Sequence, residues 1–194
     1  MFHSILLAGF VWATANAMPP APVLPHLLAP APTVSVPLRL NLDAPLESDQ
    51  AALESAFVAL INAERAQRGL GTLTPDPMLT ATARAHSEEM CSQDYFDHHS
   101  PTPGLSSPMD RYLASNRQLG QPQPEYLLVG ENIFYCSVFN DIYDVDYAHR
   151  AFMASPGHRA NILEARFAKV GIGVYRSAKG EFWVTEMFSR DRTP

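Results

Sequence analysis

The runs Val170-Gly171-Ile172-Gly173-Val174-Tyr175 and Phe182-Trp183-Val184-Thr185-Glu186-Met187-Phe188 decide the architecture. In the first, apolar residues alternate with glycine. In the second, Phe182, Val184, Glu186 and Phe188 alternate with Trp183, Thr185 and Met187. Alternation of period two predicts two strands, and residues 177–180 supply a hairpin turn between them. Upstream the period is helical. Leu53, Phe57, Leu60 and Ile61 fall on one face of a helix over about 48–68, ended by Gly69 and Gly71. Pro75 and Pro77 bracket Asp76, which starts a second helix running to about residue 92. Ser107 caps a short helix over 108–116, with Pro108 at its first position and Asp110 in its first turn. A third long helix fits 145–154, and Ser155-Pro156-Gly157 breaks it sharply. Ser155 caps the next turn, which puts His158 near the start of 157–163. The stretch 129–135 is short and apolar. Helices followed by an antiparallel sheet predict an α/β (α+β) protein, an α+β arrangement or an α/β/α sandwich.

Working outward, the 194 residues suit one hydrophobic core. The net charge of −6 argues against a nucleic-acid partner and against electrostatic docking on an anionic membrane. Residues 1–17 read as a signal peptide. An apolar run over 5–12 is followed by the small-x-small site Ala15-Asn16-Ala17, and the run is too short to span a bilayer. The expected location is secreted or periplasmic, with no transmembrane segment in the mature chain. Residues 18–47 form a Pro-rich arm or linker, with eight prolines between Pro19 and Pro45. The folded domain is 48–194. Two cysteines remain, Cys91 and Cys136. In an oxidising compartment one disulfide between them is the economical reading, and two separate buried thiols are the alternative.

Several further stretches share one pattern. They are Ile61-Asn62-Ala63-Glu64-Arg65, Ala85-His86-Ser87-Glu88-Glu89-Met90 and Phe96-Asp97-His98-His99-Ser100-Pro101. Next come Gly130-Glu131-Asn132-Ile133 and Ser155-Pro156-Gly157-His158-Arg159-Ala160-Asn161-Ile162-Leu163, then the two strand runs above. In order and spacing this chain resembles the CAP superfamily of SCP-like extracellular proteins, in its bacterial branch, over about 48–190. The resemblance implies a three-layer α/β/α sandwich with an antiparallel central sheet and a long cleft. It implies that His98, Glu131 and His158 line the cleft. His99 competes with His98, and the His-x-Ser-Pro form favours His98. Many eukaryotic members carry a second glutamate three residues after a helix tryptophan. Here the matching pair is Phe152 and Ser155, so that carboxylate is absent. Relatives often carry Gln where this chain has Glu186.

Two imidazoles and a carboxylate are a workable set for zinc or another divalent metal, with His98, His158 and Glu131 as ligands. In a hydrolase Glu131 is the candidate catalytic base instead. The bland reading is structural, with the histidines as hydrogen-bonding groups. Asn132, Arg159 and Asn161 read as structural support, and His86 as a packed helix residue or else a cleft residue. No Gly-x-Ser-x-Gly elbow, phosphate loop or Cys-x-x-Cys pair occurs. Two functions follow. The first is a domain that binds a small apolar ligand, a lipid or a cell-surface component without turnover. The second is a metal-dependent hydrolase of peptide or ester bonds.

Overall fold

A computed structural model describes residues 7–11, 46–139 and 144–192, with side chains from residue 49 onward. The Pro-rich arm lies outside the described residues. The elements in chain order are β1 (Leu7–Val11), α1 (Leu46–Gln67), β2 (Thr74–Pro75), α2 (Pro77–Ser92), α3 (Pro108–Gln118), β3 (Tyr126–Cys136), α4 (Val145–Ala154), α5 (Pro156–Ile162), β4 (Lys169–Arg176) and β5 (Phe182–Arg192).

The strands form one sheet in the order β1-β3-β5-β4-β2. The three central strands pair antiparallel, as the hairpin pattern predicts. Both edge strands pair parallel, β1 with β3 and β2 with β4. The expected antiparallel sheet is therefore a mixed one. Neither edge strand had a readable signal. Thr74–Pro75 is too short for alternation, and Leu7–Val11 lies within the apolar run assigned to the signal peptide.

Strand alternation sorts the core into two layers. Leu128, Phe134, Val170, Ile172, Val174, Phe182, Val184 and Phe188 face α1, α4 and α5, and pack on Leu53, Phe57, Ile61, Phe152 and Ile162. Leu127, Val129 and Met187 face the other way, onto Leu79 and Ala83 of α2 and Tyr112 of α3, and Ile133 and Trp183 meet Met90 of α2. The result is the α/β/α sandwich. Gly171 and Gly173 explain how closely α2 approaches. A Cβ on Gly173 would stand 2.1 Å from the Ala83 carbonyl carbon, and one on Gly171 2.3 Å from the Leu79 carbonyl carbon. Backbone cannot yield as a side-chain tip can. Gly173→Ala is expected to cost about 2–3 kcal/mol by urea titration, as overpacking does; a loss under about 0.5 kcal/mol would show that α2 can shift freely.

Local chemistry sets the helix ends. Asp76 Oδ1 accepts from the Leu79 amide at 3.0 Å, and Ser107 and Asp110 form a reciprocal capping box. Gly69 ends α1 with φ of 70°. Ser155 sits at the start of α5 but makes no side-chain cap bond, contrary to expectation. α1 also guards the β4 edge beyond β2. Gln50 Nε2 donates to the Val174 carbonyl at 2.7 Å, and Glu54, clamped by Arg84, accepts from the Val174 amide at 3.3 Å.

The cysteines are separate thiols. Cys91 lies in the last turn of α2, 3.9 Å from a Glu181 carboxylate oxygen. Cys136 packs with the opposite core layer and donates to the Val138 carbonyl at 3.1 Å. The sheet stands between the two, so the expected disulfide does not form.

Candidate functional site

The site is built around Glu131 on β3, the first residue of that strand beyond its pairing with β1. Gly130 precedes it because the space is taken. A Cβ there would lie 2.7 Å from the Phe167 ring and 3.2 Å from Asn161 Oδ1. The Glu131 side chain is 2% exposed, and both of its oxygens are engaged. His98 Nδ1 lies 2.8 Å from Oε1, and Arg111 Nη2 donates to Oε2 at 2.6 Å. Burial alone would raise the carboxyl pKa. Arg111, then His86 and His98, outweigh it and hold the group at about 2. An ionised carboxylate can only accept, so His98 carries its proton on Nδ1 and Nε2 is its remaining ring nitrogen.

Arg111, from α3, also holds the loop that carries His98. Its Nη1 donates to the carbonyls of His98, Leu105 and Ser106 at 3.1, 3.1 and 3.2 Å. A second carboxylate pins the same loop from α2. Glu89 accepts from Tyr95 at 2.6 Å, from Ser100 at 2.9 Å and from Thr102. His86 joins the two groups, with Nε2 3.8 Å from Glu131 Oε1 and Nδ1 3.3 Å from the Tyr95 hydroxyl. Burial keeps His86 below its ordinary pKa, although Glu131 pulls the other way. His99, by contrast, has its side chain 60% exposed beside Asp97.

His158 comes from the first turn of α5. Its Nε2 is buried and has no hydrogen-bond partner. Burial, with the nearby His98 as a smaller cause, depresses it to about 4, so it is a neutral imidazole at physiological pH. Phe152 meets its ring edge-on at 5.2 Å. The amides tie α5 to β3. Asn161 Nδ2 donates to the Glu131 carbonyl at 3.0 Å and to Asn132 Oδ1 at 2.9 Å, and Asn132 Nδ2 donates to the His158 carbonyl at 3.2 Å. Arg159 lies outside, donating to the Met153 carbonyl at 3.0 Å. Glu186 is buried under α5, where its Oε2 accepts from Asn132 Nδ2 at 2.9 Å.

These positions bear on metal chemistry. A neutral, orphaned His158 Nε2 suits a divalent ion. Glu131 does not suit the role of third ligand, because Arg111 and His98 occupy it. Its geometry is that of the carboxylate behind a metal-binding histidine. Among the described residues, no group of three or more His, Cys, Asp or Glu side chains is arranged to hold a metal ion.

A sequence model of the cysteine-rich secretory protein family (CAP) matches residues 58–188. The chain belongs to that family. The uncharacterised protein YkwD of Bacillus subtilis strain 168 is 34% identical over 169 residues, which is 82% of this chain and 55% of that protein. Among solved structures, an extracellular SCP-domain protein of Bacillus anthracis strain Ames is 28% identical with a TM-score of 0.61, over 76% of this chain and 45% of that one. An outer surface protein of Borrelia burgdorferi shares the fold at 14% identity and a TM-score of 0.56, over 71% and 92% of the two chains. The chain spans about half the length of the two Bacillus relatives. Within the CAP domain, the motif residues His98 and Glu131 meet at bonding distance, and His158 stands within electrostatic reach of His98. Arg111 had not stood out in the sequence, and Glu89 had only as a member of the 85–90 stretch. A long cation in a short polar helix reads as a surface residue, and only its spacing from the His98 loop hints otherwise. Among the described residues, no helix is long and apolar enough to cross a membrane.

Proposed function

We propose that the chain is an exported CAP domain that binds a small apolar ligand, such as a lipid, beside the His98/His158 pair without turning it over. The observation that carries this reading is the commitment of Glu131. A carboxylate held at about 2 by a buried guanidinium and an imidazole is a poor general base near neutrality. Its role is to orient His98. Two residues before His98 in the chain, Phe96 is 43% exposed, with its ring centroid 6.3 Å from Tyr135 and 6.2 Å from Trp183. That aromatic group supplies apolar contact surface, and the imidazoles supply polarity. Export is supported by the extracellular description of the Bacillus anthracis protein.

His98 and His158 would hold a divalent metal such as zinc, which when bound supplies a Lewis-acid anchor for a polar ligand group. Zinc offered at neutral pH is expected to remain at about one ion per chain in elemental analysis. It should be lost from His98→Ala/His158→Ala and kept in Glu131→Gln. Zinc kept by a folded double variant would remove the imidazoles from this role. The neutral His158 favours a second reading, a hydrolase in which the metal activates water. The two separate on Glu131→Gln, because a hydrolase using that carboxylate loses turnover, whereas the binding domain has none to lose.

A further inference from the structure

A second site lies on the α5 face, toward the far end of β3. Tyr126 starts β3, five residues before Glu131, or about 16 Å along the strand. It pairs with Arg192 of β5, and Arg190 stands two residues away on the same face. The Arg166 side chain joins them from the segment after α5. With Asp191, these residues line a groove of about 460 Å³.

The chain as a whole is acidic, so three guanidinium groups in one groove stand out. Their counter-charges are unevenly placed. Arg166 is forked onto Glu164, at 2.9 and 2.8 Å. Asp191 pairs with Lys169 at 2.8 Å, and Asp76 shares that lysine at 3.5 Å. Arg192 reaches Glu125 only at 3.8 Å, with the two side chains 75% and 53% exposed. Arg190 is exposed and enters no ion pair among the described residues. The groove therefore keeps a positive excess centred on Arg190 and Arg192, with the Tyr126 phenol beside them.

We infer that this groove binds a phosphate group, held between the Arg190 and Arg192 guanidiniums. Alternate strand residues place their Cα atoms about 7 Å apart, so two planar forks can close on one tetrahedral oxyanion. A carboxylate fills only one such fork. The volume exceeds a phosphate alone and falls in the range of small-molecule sites, which leaves room for the body of a phosphate ester. The phosphate can come from a lipid headgroup or from a soluble compound. This site is independent of the imidazole pair.

The test uses the full chain, inorganic phosphate by calorimetry, and co-sedimentation with phosphatidylcholine vesicles with and without phosphatidic acid. Saturable binding with Kd of about 1 mM for phosphate is expected, weakening with added salt. Arg190→Gln/Arg192→Gln should weaken it at least about tenfold. Arg190→Lys/Arg192→Lys keeps the charge without the forks and should bind in between; it serves also if the glutamine variant misfolds. Vesicle binding that needs phosphatidic acid and far exceeds that of free phosphate assigns the site to lipid headgroups. Comparable affinities assign it to soluble phosphates. No saturable binding to either, or binding unchanged in both folded variants, overturns the inference.

Discussion

Arg111→Met is expected to destabilise the folded chain by about 3–5 kcal/mol in urea titrations at pH 7, the range for breaking a buried ion pair by removing one partner. Arg111 is 4% exposed and Glu131 2%, so water cannot replace the lost guanidinium. The same substitution removes the Nη1 donor shared by three carbonyls of the 98–106 loop. Adding Glu131→Gln to Arg111→Met should recover part of the loss, because it removes the stranded charge. A loss under about 1 kcal/mol in Arg111→Met would mean that Glu131 is held by something other than this pair. The Glu131 pair also has a pH window. Its folded pKa, about 2, lies below the ordinary 4.5, so its stabilisation is present above about pH 4.5 and is lost as pH falls toward 2.

Glu186→Gln should act in the opposite sense and stabilise the protein by about 2–3 kcal/mol at pH 7. Glu186 is fully buried, has Asn132 as its hydrogen-bond donor, and leaves Oε1 without a partner. Burial lifts its pKa from 4.5 to about 8, against the smaller opposing effect of Asn132. The folded state therefore holds a proton that the unfolded chain releases. This group makes the protein progressively less stable as pH rises from about 4.5 to about 8. A neutral amide removes that slope. The two proteins should have equal stability near pH 4 and diverge as pH rises, measured by denaturant titration at several pH values. Parallel curves across that range would show that Glu186 is ionised in the fold.

Much of this fold was legible because its signals are local. Leu53, Phe57 and Ile61 repeat with the helix, and the β4 and β5 runs alternate. Gly171 and Gly173 sit where a helix presses on a strand. β3 was legible only in part, since Gly130, Glu131 and Asn132 interrupt its apolar pattern in the middle of the strand. Those three residues mark the site, and the same chemistry that spoils the strand pattern builds the cluster. The pairing of Arg111 with Glu131 spans 20 residues and two elements, so no local period encodes it. Glu186 was legible as a carboxylate where relatives often carry Gln, but its burial was not. Alternation in fact puts it on the face covered by α5, which makes it a core carboxylate.

The placement of the cysteines carries a consequence for how the protein is made. With the sheet between Cys91 and Cys136, the native architecture contains no covalent cross-link. Its folding needs neither an oxidase nor a disulfide isomerase, and the thiol balance of its surroundings does not decide whether it reaches the native state. This member of a family named for its cysteines is expected to refold to the same native state with and without reductant.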